Sequence, residues 1–154
     1  MKLSHGCSQL YRIRVKMIEH GTYELELTGK ILTLRAYDAW NYHTALRWGK
    51  ETKEIVNSIK SHPWSCLCDL TKWELATPDV HQYVIGLNLW LDANNLRYLA
   101  IVYNISLQQS VLEKSHRAFT NVDVRYFTNL DEGKTWLKNV STPANSNFNK
   151  AGNS

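Results

Sequence analysis

The sequence predicts an α/β domain: a mixed β-sheet with antiparallel N-terminal strands, parallel later strands and helices packed on the sheet. Three observations lead there. Between residues 11 and 37 the chain alternates in polarity, as in YRIRVKM and YELELT, which is the period of half-buried strands. After Asn41, segments with apolar residues at helical spacing alternate with the short apolar runs WSCLCDL, YLAIVY and VDVRYF. Strands separated by helices favour parallel pairing, because the intervening helix supplies the crossover.

In the first alternating segment Tyr11, Ile13, Val15 and Met17 oppose Arg12, Arg14 and Lys16; in the second, Tyr23, Leu25 and Leu27 oppose Glu24 and Glu26. Gly21 supplies the turn between them. A register centred on His20 would set Arg14 opposite Glu26 and Lys16 opposite Glu24. A second turn, Thr28-Gly29-Lys30, leads into the strand ILTLRAY. Asn41 then reads as an N-cap, with Tyr42, Leu46, Gly49, Val56 and Ile59 as the buried stripe of a helix reaching about residue 60. Pro63 closes it, since the residue before proline avoids helical geometry. The strand WSCLCDL is expected to end at Asp69-Leu70-Thr71, with Trp73 beyond it.

Thr77-Pro78-Asp79 combines a hydroxyl cap, proline at the first helical position and an acid in the first turn. The apolar stripe of that helix is Val80, Tyr83, Val84, Leu87, Trp90 and Leu91. Residues 98–103 form a strand apolar on both faces. Ser106 and Gln109 open a helix running through Phe119 in a capping-box pattern. VDVRYF follows, and Asn129 with Glu132 opens a last helix ending near Trp136-Leu137.

With 154 residues, 44% hydrophobic and 21% charged, the chain fits one folded domain. The expected organisation is an N-terminal extension over 1–10, a single domain over 11–140 and a disordered polar tail over 141–154. No apolar run approaches the roughly 18–20 residues that cross a bilayer, and no signal-peptide core is visible near the N-terminus. Three cysteines, an odd number, fit reduced thiols, so the expected compartment is cytoplasmic. The net charge of +4 is spread along the chain, which argues against a nucleic-acid partner.

The stretch WSCLCDL raises the question of redox or metal chemistry. In a strand Cys66 and Cys68 share a face with Cα atoms roughly 6.5–7 Å apart, at the upper limit for an unstrained disulfide. Redox motifs of the thioredoxin type use two intervening residues and a helix N-terminus, and a zinc site needs two more ligands. Neither pattern is present, so the segment reads as a core strand, with no metal and no cofactor expected. The histidines at positions 5, 20, 43, 62, 81 and 116 lack metal-ligand spacing, and no G-x-S-x-G or Gly-rich phosphate loop occurs. Asp69 is the one carboxylate placed like a site residue, and it equally serves to cap the turn to Trp73. Six tryptophans and eight tyrosines leave three readings for Tyr37, Trp40, Trp48, Trp73 and Trp90. They line a crevice for a lipophilic ligand beyond the carboxyl ends of the strands, fill the helix–sheet interface, or form a dimer patch.

A strand ending Asp69-Leu70-Thr71, followed by a short loop into the Thr77-Pro78-Asp79 helix start, resembles the STAS domains. The later AIVYN at 100–104, VRYF at 124–127 and acidic helix ending in Trp136-Leu137 are similar to the SpoIIAA-like, or STAS/Sec14-like, small bacterial proteins. The resemblance covers roughly residues 20–140 and implies the same mixed sheet. Domains of the antagonist type are switched by phosphorylation of a hydroxyl at the start of the helix after the Asp-Leu-Ser strand. The usual Asp-Ser-Ser-Gly is replaced here by Ala76-Thr77-Pro78-Asp79, so Thr77 alone supplies a hydroxyl, which also reads as a structural cap. A phosphate there would sit at a helix N-terminus. The Sec14-like resemblance implies a lipophilic small molecule instead. The expected function is thus a non-enzymatic regulatory or binding domain for a lipophilic ligand. The alternative is a protein-interaction switch with a regulatory protein or a homodimer as partner, ahead of an enzyme using Asp69 and a histidine.

Overall fold

A computed structural model describes residues 21–74, 76–104 and 106–141. The strand expected over residues 11–17, its pairing of Arg14 and Lys16 with Glu26 and Glu24, the N-terminal extension and all but the first residue of the expected tail lie outside the described residues. The elements are β1 (Thr22–Thr28), β2 (Ile31–Asp38), α1 (Tyr42–Asn57), β3 (Trp64–Trp73), α2 (Pro78–Ala93), β4 (Leu96–Val102), α3 (Ser106–His116), β5 (Asp123–Phe127) and α4 (Leu130–Ser141). They build one sheet in the order β1-β2-β3-β4-β5. β1 and β2 are antiparallel through a turn at Gly29, and every later pair is parallel.

Side-chain alternation assigns each strand residue to one of two cores. Leu32, Leu34 and Ala36 of β2, Cys66 of β3, and Leu99 and Ile101 of β4 pack under α1, α2 and α3. Leu67, Ala100 and Val102 point to the other face, where Leu137 of α4 covers them. Both faces of β4 are therefore buried, the physical reason its sequence is a nearly unbroken apolar run. A Cβ on Gly133 would lie 3.3 Å from Val102 Cγ2, which shows how closely α4 lies on the sheet. The β1–β2 end of that face carries charges instead. There Arg35 Nη1 lies 3.1 Å from Glu26 Oε2 and 3.8 Å from Glu24 Oε2, exposed pairs that stabilise little.

Several boundaries and faces differ from the sequence expectation. β3 does not end at Thr71 but continues to Trp73. Arg35 pairs with Asp69 and Tyr37 with Lys72, so β3 carries one extra residue, a bulge, between these pairs. A bulge reverses the side-chain alternation beyond it, and Trp73 consequently turns into the same core as Cys66 and Leu70. The buried stripe of α1 is Ala45, Trp48, Gly49, Thr52 and Val56, whereas Tyr42 and Leu46 are 40% and 38% exposed. The face is set by Gly49, where α1 and α2 touch.

Asn41 caps α1 through its side chain, accepting from the Thr44 N–H, and Asn129 accepts from the Glu132 N–H at the start of α4. The Gln109 amide donates to Glu113 at 2.9 Å. α3 stops at His116 instead of Phe119, and α4 runs on to Ser141, past the expected end at Leu137. No helix among the described residues is long and apolar enough to cross a membrane.

The α1–α2 contact yields a stability prediction. A Cβ on Gly49 would fall 1.9 Å from the Tyr83 hydroxyl oxygen and 2.7 Å from two of its ring carbons. Alanine improves helix propensity by about 1 kcal/mol, but overpacking of this kind costs about 1–3 kcal/mol. Gly49→Ala should thus lower stability in urea denaturation, and in a Tyr83→Ala background the same change should raise it.

Candidate functional site

Cys66, Cys68 and Leu70 line up on one side of β3, while α1 brings Trp48 and Thr52 over them, α2 brings His81, Val84 and Asn88, and α3 brings Ser115 and His116. These side chains surround a small cavity of about 80 Å³ in the larger core. Its wall is apolar except for a few groups. The Asn88 amide donates to the Ser115 carbonyl at 3.2 Å. The Thr52 hydroxyl is buried with no hydrogen-bond partner among the described residues. Cys66 and Cys68 are free thiols with their sulfurs 3.8 Å apart. The neighbouring Cys68 sulfur, and then burial, push the Cys66 thiol well above the ordinary cysteine range, so it stays protonated.

His116 closes one end of the cavity. Its Nδ1 lies 2.6 Å from the Tyr126 hydroxyl of β5, and Phe119 packs against the ring at 5.8 Å. Burial pushes the imidazole down to about 4. Burial, and then the charge of Glu113, push the Tyr126 phenol up. Both directions describe one neutral pair, hydrogen-bonded between the phenol oxygen and the imidazole Nδ1.

Of the five aromatic residues singled out from the sequence, the fold brings three together. Trp40, Trp48 and Trp73 are buried and line the cavity. Trp40 packs at a tilt against Trp48, ring centres 5.3 Å apart, and donates its indole N–H to the Thr22 carbonyl at 3.0 Å. Tyr37 and Trp90 stand elsewhere. Tyr37 follows the alternation of Arg35 onto the opposite face, with its hydroxyl 3.2 Å from Glu24 Oε1. Trp90 lies half-buried on α2 with Lys53 Nζ 5.4 Å from its ring centre. Thr52, His81, Asn88, Ser115 and His116 are among the lining residues that sequence reasoning left out of the site. Thr52 and Asn88 were legible, since each lies four residues from apolar stripe members (Val56 and Val84).

Asp69 faces away from the cavity, paired against Arg35 in the bulged stretch. Its Oδ1 accepts from the Thr71 N–H at 3.1 Å and the Thr71 hydroxyl at 2.7 Å. It thereby holds the bulge and is positioned for no reaction with the cavity histidines. Among the described residues no group of three or more His, Cys, Asp or Glu side chains is arranged to hold a metal ion. Thr77 is the N-cap of α2 by backbone geometry but makes no side-chain cap. Its exposed hydroxyl donates to the Asp79 carboxylate instead. Asp79 also accepts from the Val80 N–H at 3.0 Å, so the acid takes over the capping that the hydroxyl was expected to perform. The Thr77 hydroxyl bond, outweighing desolvation, pulls the Asp79 carboxyl below its ordinary value.

The His116–Tyr126 pair gives the site a pH signature. The folded imidazole titrates near 4, below the roughly 6.5 of an unfolded histidine. Between these values the unfolded state binds the extra proton, so stability is intact above about pH 6.5 and falls as pH drops toward 4, by at most about 3 kcal/mol. Urea midpoints measured across that window should show the loss in the wild type. His116→Phe should remove this component of the slope.

No family model matches the sequence, and no curated protein matches it significantly. Solved structures do. An uncharacterised DUF3478-family protein with a SpoIIAA-like fold from Shewanella loihica PV-4 superimposes with a TM-score of 0.62 at 16% identity, over 78% of this chain and 95% of that one. An anti-sigma factor antagonist from Mycobacterium paratuberculosis gives 0.55 at 12% identity, over 77% and 95%. The anti-sigma factor antagonist SpoIIAA in its unphosphorylated form gives 0.58 at 10%, over 79% and 100%. The mixed five-stranded sheet and its flanking helices are accordingly those of the SpoIIAA-like, or STAS, fold.

Proposed function

We propose that this chain is a non-catalytic protein-interaction domain of the anti-sigma-factor-antagonist kind, which docks a partner protein on the outer side of α2 beside Thr77. The observation that carries this reading is the chemistry of that helix. Between Asp79 and Asp92 it has no lysine, arginine, aspartate or glutamate. Its solvent side presents Leu89, 55% exposed, next to Gly86, which has open space where a side chain would stand. A solvated helix ordinarily carries charge there, and an exposed apolar patch marks an interaction surface. The antagonists that share the fold support a protein partner for this chain.

Thr77 lies at one end of this surface with its hydroxyl exposed. Phosphorylation would add about −1.5 to −2 charges next to Asp79. The like charges would break the Thr77–Asp79 hydrogen bond and place the phosphate in competition for the free N–H groups of the first turn. The docking surface would change where it begins, which is a mechanism for a switch. Two free cysteines suit a reducing compartment, so we assign the protein to the cytoplasm.

A lipophilic ligand is the second reading, and the core cavity is the observation in its favour. Its size sets a limit: about 80 Å³ is far below the roughly 300–1,000 Å³ of ordinary ligand pockets. A guest of a few heavy atoms fits, and an acyl chain does not. The protein-docking reading therefore comes first.

The test begins with a partner captured on the wild-type chain and then purified, so that affinities are measured between defined components by calorimetry. Leu89→Asp should weaken binding at least tenfold, or about 1.4 kcal/mol. Leu27→Asp, at an exposed leucine of β1, should leave it unchanged. Thr77→Glu should shift the affinity, with Thr77→Val near wild type. Equal affinity for the wild type and Leu89→Asp would remove α2 as the docking face.

A further inference from the structure

We propose that Cys66 and Cys68 form a dithiol site for a monosubstituted trivalent arsenic centre, R–As(OH)2, whose organic group enters the core cavity. This goes beyond the docking surface of α2 and uses a different part of the molecule.

The two sulfurs are 3.8 Å apart on a strand hydrogen-bonded on both sides, to β2 and to β4, so the backbone holds their spacing. A centre bonded to both at roughly the 2.3 Å of a metal–thiolate bond sets them about 4.6 Å apart if linear and about 3.5 Å if pyramidal. The observed spacing is nearer the pyramidal value, and small rotations about the two χ1 bonds close the difference. A linear centre would have to force the thiols apart against packed neighbours.

Charge decides next. Both sulfurs line an apolar cavity, where an unpaired charge is expensive. A monovalent metal held by two thiolates leaves a net negative charge there. A tetrahedral divalent metal needs two further ligands, and no third His, Cys, Asp or Glu joins the pair among the described residues. The arsenic adduct is neutral and needs only the two sulfurs, since its third bond goes to R. In the reaction two S–H and two As–O bonds break and two As–S bonds form. Each thiol proton leaves with a hydroxide as water, and arsenic and sulfur keep their oxidation states. No thiolate has to persist in the core, so a buried, protonated dithiol is a suitable reactant.

The cavity sets the size of R. A void of about 150 Å³ is what accommodates benzene; at about 80 Å³ this one takes a methyl group and excludes a phenyl.

The experiment uses the full chain carrying Cys7→Ser, so that the two remaining thiols are Cys66 and Cys68. Reduced protein is mixed with one equivalent of methylarsonous acid, then followed by intact mass spectrometry and thiol titration. One adduct with loss of both thiols is expected, stable to excess glutathione and reversed by 2,3-dimercaptopropanol. Cys66→Ala and Cys68→Ala should each give an adduct that glutathione strips. Measured against dithiothreitol as competitor, the phenyl analogue should bind at least tenfold less tightly than the methyl one. No adduct, consumption of a single thiol, or glutathione resistance in either single variant would overturn the site. Equal binding of methyl and phenyl would overturn the placement of R in the cavity. The stoichiometry and reversal measured on the Cys7→Ser chain stand without the Cys66→Ala and Cys68→Ala variants, so a folding defect in either one leaves the test intact.

Discussion

Leu99 and Ile101 point to one side of β4, Ala100 and Val102 to the other, and all four are buried. A strand covered on both faces has no side chain available for water, and the rest of the fold follows from meeting that condition. α1, α2 and α3 must cover one face and α4 the other. β3 shares the same constraint, with Cys66 under the three helices and Leu67 under α4. Toward β1 the second face is left open, and there the sequence changes to Glu24, Glu26 and Arg35, which are stable in contact with solvent.

Covering the larger face with three helices has a cost in fit. α1 and α2 approach closely at Gly49 and Tyr83, while the aromatic rings of Trp40, Trp48 and Trp73 fill the volume nearer the carboxyl ends of β2 and β3. Trp73 reaches that position only because the β3 bulge reverses the alternation after Asp69, and the Asp69–Thr71 hydrogen bonds hold the bulge in place. What the rings do not fill remains as the small cavity. Two of its polar groups are handled locally, Asn88 by the Ser115 carbonyl and His116 by the Tyr126 phenol. The core thus combines tight packing with a void next to two thiols.

α2 has two roles in this arrangement. Its inner side, with Val80, Leu87 and Leu91 buried, belongs to the core. Its outer side has no core to meet and presents Leu89 to solvent, and the exposed Thr77 hydroxyl stands at its N-cap. A helix apolar all round is normally interior. On the function proposed above, this second apolar side is the one that meets a partner.

The alternation of YELELT and ILTLRAY, the caps at Asn41 and Asn129, and the unbroken run at Leu99–Val102 were enough to determine the order of elements and the mixed sheet. Each of these is a local effect: strand period, a side chain reaching three residues along, or burial on both faces. The shared face of Cys66 and Cys68 was equally local. Tertiary structure decided what depends on neighbours distant in sequence. The buried side of α1 turned on the fit of Gly49 against Tyr83. The inward turn of Trp73 turned on register with β2, and the separation of Tyr37 and Trp90 from the other aromatics on strand parity and helix angle. The exchange of capping roles between Thr77 and Asp79 followed from the conformation of one turn, in which either side chain was chemically able to cap. Composition determines that fourteen tryptophans and tyrosines must be placed; only packing in three dimensions determines which of them meet, because contact depends on where the elements lie and not on how far apart the residues are along the chain.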